Sequence, residues 1–358
     1  MNPSVPLARR SNTLSSSLGL GEKLFASSDE RRFADAIEEG LATVEAGLID
    51  QMQFADEIAD ASTRYLLDAG GKRVRPVLTL LTAQLGDGNN ENVMKGAKAI
   101  EITHLASLYH DDVMDEAQMR RGVPSAQAVW GNSVAILTGD LLFARASKLI
   151  ASLGERAIVL QASTFEKLCL GQLHETIGPR HGEDPVAHYL QVLADKTGSL
   201  IATAAEVGVI FSNAPEEYVI PVRTFGEKIG VAFQLIDDII DLSDKSEVTG
   251  KTAGTDLRAG VSTLPLLYLR ELAKTDSDAD DLLRRIERDV TTAFYGEADE
   301  EDLSAAIAEL RDHAVTARTL EEAHRWAREA VEALAPLPDG PVKKALTRFA
   351  DSIVERSN

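Results

Sequence analysis

Leu105-Ala106-Ser107-Leu108-Tyr109-His110-Asp111-Asp112-Val113-Met114-Asp115 and Val231-Ala232-Phe233-Gln234-Leu235-Ile236-Asp237-Asp238-Ile239-Ile240-Asp241 are the stretches on which the fold turns. Each is an apolar, helix-compatible run that leads into the same acidic pattern, D-D-x-x-D. Residues four apart on a helix share a face, about 6 Å apart along the axis. Asp111 and Asp115 therefore point the same way with Asp112 on the flank, and Asp237, Asp241 and Asp238 repeat the arrangement. Two unit charges about 6 Å apart repel by roughly 3 kcal/mol at an effective dielectric near 20, and by under about 1 in bulk water. Six such carboxylates are costly unless cations sit between them. Hard oxygen ligands select Mg²⁺, which shares its shell with substrate phosphates. One acidic cluster on a helix is ordinarily a solvated face; two of identical spacing, each preceded by an apolar run, point to metal binding.

Outward from these runs, helical periodicity covers nearly everything after about Glu30. Pro76, Pro124, Pro185, Pro215 and Pro265 fall where helices should begin or end. Alternating strand patterns are scarce. The expectation is an all-α, single-domain bundle of roughly a dozen or more helices over residues 30–358, preceded by a poorly ordered tail over residues 1–29. Gly86 to Asn90, Gly178 to Pro185 and Ser212 to Glu216 read as turns. Ser246 to Val261, punctuated by Gly250, Gly254 and Gly260, reads as a polar loop just after the second acidic pattern.

The formal net charge of -20 over 358 residues argues against nucleic acid as a partner and against general attraction to anionic lipid. Cys169 is the only cysteine, so no intramolecular disulfide forms, which fits a reducing cytoplasm. No run is long and apolar enough to span a bilayer, and the Ser-rich start lacks the apolar core of a signal peptide. Cytoplasmic location is the expectation.

Gly70-Gly71-Lys72-Arg73-Val74-Arg75-Pro76 frees the backbone to turn, delivers three cations and opens a helix at Pro76. The ammonium and the guanidinium forks match diphosphate oxygens; the plain alternative is a helix C-cap with a basic surface loop. Arg120-Arg121 follows Asp115 by about one turn, either salt-bridging the aspartates or holding phosphates the same metals bridge. His104 lies seven residues before Asp111 on the same face, as a packing residue or a ligand contact. Lys196-Thr197 and Gln234 mean little alone. Lys251 and Arg258 lie in the Gly-rich loop, which is either a lid carrying cations or a solvated connection.

Together these elements resemble the trans-isoprenyl diphosphate synthase family from about Glu30 to the C-terminus, through both D-D-x-x-D patterns, G-G-K-R-x-R-P, the Arg pair and F-Q-x-x-D-D. The resemblance implies the isoprenoid synthase fold, helices around a central cavity, and a homodimer. It implies that Asp111, Asp112, Asp115, Asp237, Asp238 and Asp241 hold Mg²⁺, three ions per site, on the diphosphate of an allylic substrate. It assigns Lys72, Arg75, His104 and Arg121 to isopentenyl diphosphate. Arg120, Lys196, Thr197, Gln234 and Lys251 fall to the allylic substrate, with Lys196 among the catalytic residues. The family commonly carries Lys where this chain has Val261, before Thr263-Leu264-Pro265; Arg258 is the candidate to supply the missing cation.

The implied reaction ionises the allylic diphosphate, adds isopentenyl diphosphate 1'-4 in the trans sense, and passes a proton to the released diphosphate. Bulky aromatics four or five residues before the first Asp limit short products in the family. Ala106 and Ser107 stand there, so the expected product is longer than geranylgeranyl diphosphate and suited to a quinone side chain. Its release implies transient membrane contact. The alternatives are a geranylgeranyl-length synthase, a non-catalytic subunit of a heteromeric synthase, a terpene cyclase and a cation-binding structural bundle. The intact acidic and basic patterns speak against the non-catalytic subunit and the terpene cyclase, and activity with isopentenyl and farnesyl diphosphates plus Mg²⁺ separates all of these.

Overall fold

Asn90 accepts a hydrogen bond from the Val93 N–H and so opens the long helix that carries the first acidic pattern. Local signals of this kind recur in the computed structural model, which describes residues 28–243, 253–294 and 300–357. In chain order the helices are α1 (Ser28–Gln51), α2 (Glu57–Asp68), α3 (Val74–Ala83) and α4 (Glu91–Met114). A two-residue hairpin, β1 (Met119–Arg120) with β2 (Val123–Pro124), precedes α5 (Ala126–Trp130), α6 (Asn132–Ala151), α7 (Glu155–Ile177) and α8 (Pro185–Leu193). A π turn, Ala194–Gly198, leads into α9 (Ser199–Phe211). There follow α10 (Val219–Asp241), α11 (Thr255–Arg258), α12 (Leu264–Leu272), α13 (Ser277–Phe294), α14 (Glu300–Asp312), α15 (Ala314–Ala333), α16 (Pro341–Val354) and a 3₁₀ turn, Glu355–Ser357.

The all-helical expectation is borne out. The three predicted turns lie between helices, and Pro185 and Pro265 stand in the first turns of α8 and α12. The hairpin was not expected. The Gly-rich loop contains a helical turn, α11, so its second half is not the plain loop expected; residues 244–252, with Lys251, lie outside the described residues, as does the tail up to residue 27.

By spatial proximity the described residues fall into two compact units. One takes in residues 28–165, 200–226 and 333–349. One of its core clusters draws on α1, α2, α4, α5 and α6, where Leu48, Leu66, Ile102, Leu105, Tyr109 and Leu142 are wholly buried. The α4–α6 seam is lined by small side chains, Ala97, Ala106, Ala135 and Ala146. The buried Tyr109 hydroxyl accepts from the Leu66 N–H (3.2 Å) and donates to the Ser62 carbonyl, which satisfies its polar end.

The other unit comprises the described parts of 166–199, 227–332 and 350–358. Here backbone packs on backbone. A Cβ added at Gly198 would stand 2.8 Å from the Glu227 carbonyl oxygen, and one at Gly230 would stand 2.6 Å from the Gly198 Cα. The π turn therefore lies against α10 without an intervening side chain.

Candidate active site

Both acidic patterns close their helices rather than sitting within them. α4 ends at Met114 with Asp115 as its C-cap, and α10 ends at Asp241. Carboxylates there face the negative end of the helix dipole, which opposes each by roughly 0.3–1 kcal/mol. The penalty strengthens the case for nearby cations.

In the first unit, Asp112 is fully buried. Its Oδ1 accepts from Arg120 Nε at 2.6 Å, while its Oδ2 is buried without a hydrogen-bond partner. Burial pushes its carboxyl above the ordinary value, partly offset by Arg120. Asp111 is half-buried and Asp115 exposed. The G-G-K-R-V-R-P cations divide their work. Arg73 is 6% exposed, adopts φ 52°, and pairs with Glu45 (3.1 Å) and Glu101 (3.4 Å), so it is structural. Arg75 has a buried Nε without a partner and feels the charges of Glu101 and Asp111. Arg121 donates to the Leu66 carbonyl (2.6 Å) and to the Gly70 carbonyl. Burial lowers its guanidinium to about 10. Its guanidinium carbon lies 3.1 Å from where a Gly71 Cβ would stand, and Gly71 has φ 148°, so glycine is needed there on two counts. His104 sits among these groups. Burial, then Arg75, Arg121, Arg120 and Arg73, holds its ring neutral far below the ordinary value. Lys72 is exposed. The result is a cationic cradle beside a neutral imidazole, on the helix that bears Asp111 and Asp112.

In the second unit, Asp238 is buried; its Oδ2 accepts from the Tyr189 hydroxyl at 2.7 Å, and the carboxylate also takes the Leu264 N–H at the start of α12. Burial pushes this carboxyl well up, partly offset by Tyr189, while burial and the nearby Asp238 push the Tyr189 phenol up. Asp237 lies 3.1 Å from Arg356 Nη2. Asp241 accepts from the Asp256 N–H at 3.0 Å. The π turn carries Lys196, paired with Glu175 at 2.5 Å, and Thr197, whose hydroxyl donates to Gln234 at 3.4 Å. Arg258 donates to the Ala253 carbonyl (3.1 Å) and the Ser304 hydroxyl (3.2 Å), and Val261 is 39% exposed.

Residues 56–297 match the pattern of the family described as polyprenyl synthetase. The chain belongs to that family. It is 43% identical to the nonaprenyl diphosphate synthase of Mycobacterium tuberculosis over 325 residues, covering 90% of this chain and 94% of that one. The decaprenyl diphosphate synthase of Rhodobacter capsulatus superposes with a TM-score of 0.78 at 34% identity, covering 92% of this chain and 99% of that chain. The geranylgeranyl pyrophosphate synthase of Corynebacterium glutamicum, complexed with calcium and isoprenyl diphosphate, superposes with a TM-score of 0.77 at 37% identity, covering 93% and 98%.

For a polyprenyl synthetase the donor set fits Mg²⁺. Among the described residues no three His, Cys, Asp or Glu side chains converge as a ready metal cage. Mg²⁺ is held by one or two carboxylates together with substrate phosphates and retained waters, so carboxylates such as the partnerless Asp112 Oδ2 are what it takes. Within its unit the structure gathers Arg75, His104, Arg120 and Arg121 near Asp111 and Asp112, and within the other Lys196, Thr197 and Gln234. Ala106 is packed in the α4–α6 core, and the Ser107 hydroxyl donates to the His104 carbonyl at 2.9 Å. Sequence reasoning missed Tyr189, Glu175, Glu101 and Arg356. Tyr189 and Arg356 reach Asp238 and Asp237 from distant segments, Glu175 reaches Lys196 from α7, and Glu101 lies on α4 ten residues before Asp111, where no local pattern marks it.

Proposed function

We propose that this chain elongates an allylic diphosphate with isopentenyl diphosphate, giving a long-chain all-trans polyprenyl diphosphate of the length quinone side chains carry. The cradle of Arg75, Arg121 and neutral His104 on the helix of Asp111 and Asp112 carries the reading. Two guanidinium forks there match a diphosphate, and a neutral imidazole adds a hydrogen bond without adding charge. Lys72, Arg75, His104 and Arg121 hold isopentenyl diphosphate. Lys196, Thr197, Gln234, Lys251, Arg120 and Arg258 hold the allylic diphosphate. Mg²⁺ bound by the six aspartates supplies Lewis-acid stabilisation of charge on diphosphate oxygens.

The allylic C1–O bond breaks and its electron pair leaves with the diphosphate. The isopentenyl double bond then forms the new C–C bond, and the proton lost from C2 goes to the released diphosphate. A dry apolar pocket must exclude water from the cation. The polar side chains hold charge at fixed positions rather than moving protons.

Incubation with farnesyl and isopentenyl diphosphates plus Mg²⁺, followed by chromatography of the dephosphorylated products, tests this. Products of eight or more prenyl units are expected; a geranylgeranyl product alone would favour the shorter-chain reading, which the 37% identity to a geranylgeranyl synthase keeps in view. No turnover would reject both.

We further propose a cytoplasmic homodimer with transient membrane contact at product release. Among the described residues no helix is long and apolar enough to cross a membrane. α6 exposes Ile136, Leu137 and Leu141, and α7 exposes Ile158, Val159, Phe165, Leu170, Leu173 and Ile177, apolar faces of the kind that subunit interfaces cover. Sedimentation should give a dimer, with Leu137→Glu shifting it to monomer; a monomeric wild-type chain would refute this.

A further inference from the structure

A small apolar cavity in the first unit lies against α4, on the N-terminal side of the first acidic pattern. Ala99, Ile100 and Thr103 form one wall, and α7 and α9 supply Leu160, Thr164, Leu200, Thr203 and Val207. Thr103 to Ala99 lie roughly 12–18 Å along the helix axis from Asp111 at the standard rise per residue. The space admits about 20 Å³, room for little more than one water, so no prenyl unit enters unless α7 and α9 yield.

In the wall of this apolar space Thr164 Oγ1 and Thr203 Oγ1 stand 2.6 Å apart, both nearly buried. Thr164 Oγ1 also lies 2.7 Å from the Leu160 carbonyl oxygen, and either hydroxyl can donate across the bridge. We propose that this bridge is a chain-length determinant: by pinning α7 to α9 beside the cavity it limits how far the polyprenyl tail extends along α4. The inference rests on the prenyl-elongating reading above. A hydroxyl pair is a fitting pin because it is directional and satisfied in place, whereas apolar contacts alone would let the helices slide apart.

The test uses two changes of opposite sign. Thr164→Val with Thr203→Val replaces both partners by apolar groups of the same shape, a change close to neutral for stability. It removes the pin, and the product distribution should move up by about one prenyl unit or more. Thr203→Leu fills the cavity and should move it down. If Thr203→Leu fails to fold by circular dichroism, Ala99→Val fills the same space from α4. Product length is read by mass spectrometry, and total isopentenyl incorporation should stay within about threefold of wild type. Unchanged length in both directions would overturn the proposal while leaving the elongating activity standing. A wild-type chain that makes no polyprenyl product would instead sink the functional reading itself.

Discussion

Replacing Tyr189 with phenylalanine removes one oxygen and leaves the packing of α8 nearly intact. That oxygen donates to Asp238 Oδ2 at 2.7 Å, and Asp238 is only 3% exposed, so water cannot readily take its place. A hydrogen bond to a charged group contributes roughly 1.5–3 kcal/mol, and 1.4 kcal/mol is about tenfold in an equilibrium. The Leu264 N–H remains to Asp238, so the lower half of that range applies. Tyr189 also holds the Asp238 carboxyl below where burial alone would put it. Without it the acid form persists to higher pH, and the carboxylate proposed to hold Mg²⁺ is scarcer. Calorimetric titration of Mg²⁺ with inorganic pyrophosphate should therefore show about 10-fold weaker binding at neutral pH. The deficit should narrow as pH rises, because the carboxylate is then recovered. Unchanged Mg²⁺ affinity, or a deficit that widens at high pH, would refute the coupling of Tyr189 to the second acidic pattern.

Arg73→Met leaves Glu101 as a buried carboxylate whose Oε2 already lacks a partner; the loss should be about 3–5 kcal/mol, read by urea unfolding and partly rescued by adding Glu101→Gln. His104 is neutral in the fold and has its pKa depressed, so the unfolded chain takes up a proton first as pH falls below its ordinary value near 6.5. Stability should drop by about 1.4 kcal/mol per pH unit in that window, and His104→Asn should flatten the slope in chemical denaturation between pH 7 and 5. Ala106→Phe puts a ring into the α4–α6 seam, where overpacking costs about 1–3 kcal/mol. A lower melting temperature together with a shorter product is expected, and an unchanged product would free Ala106 from any part in chain length.

The helical class was legible because the apolar runs before Asp111 and Asp237 have helical spacing and are bounded by proline and glycine. The cations of the first unit were legible because Gly71, Arg75 and Arg121 lie in short, dense motifs. Their division of labour was not: whether Arg73 or Arg75 is buried against Glu101 depends on a left-handed φ at Arg73 that no local pattern announces. Tyr189 and Thr203 were unreadable for a related reason. Each acts on a partner 39–49 residues away, and spacing on one helix says nothing about a hydroxyl arriving from another. The position of the acidic residues at helix ends was missed because both patterns continue in helix-compatible sequence.

The glycine seam between the π turn and α10 bears on how this enzyme can change. Where main chains touch, no side chain is left to be trimmed or enlarged, so gradual adjustment has no material to work on. Lys196 and Thr197 are thereby tied to the geometry of Gln234, and variation in what the protein accepts must come from surfaces that still have atoms to trade.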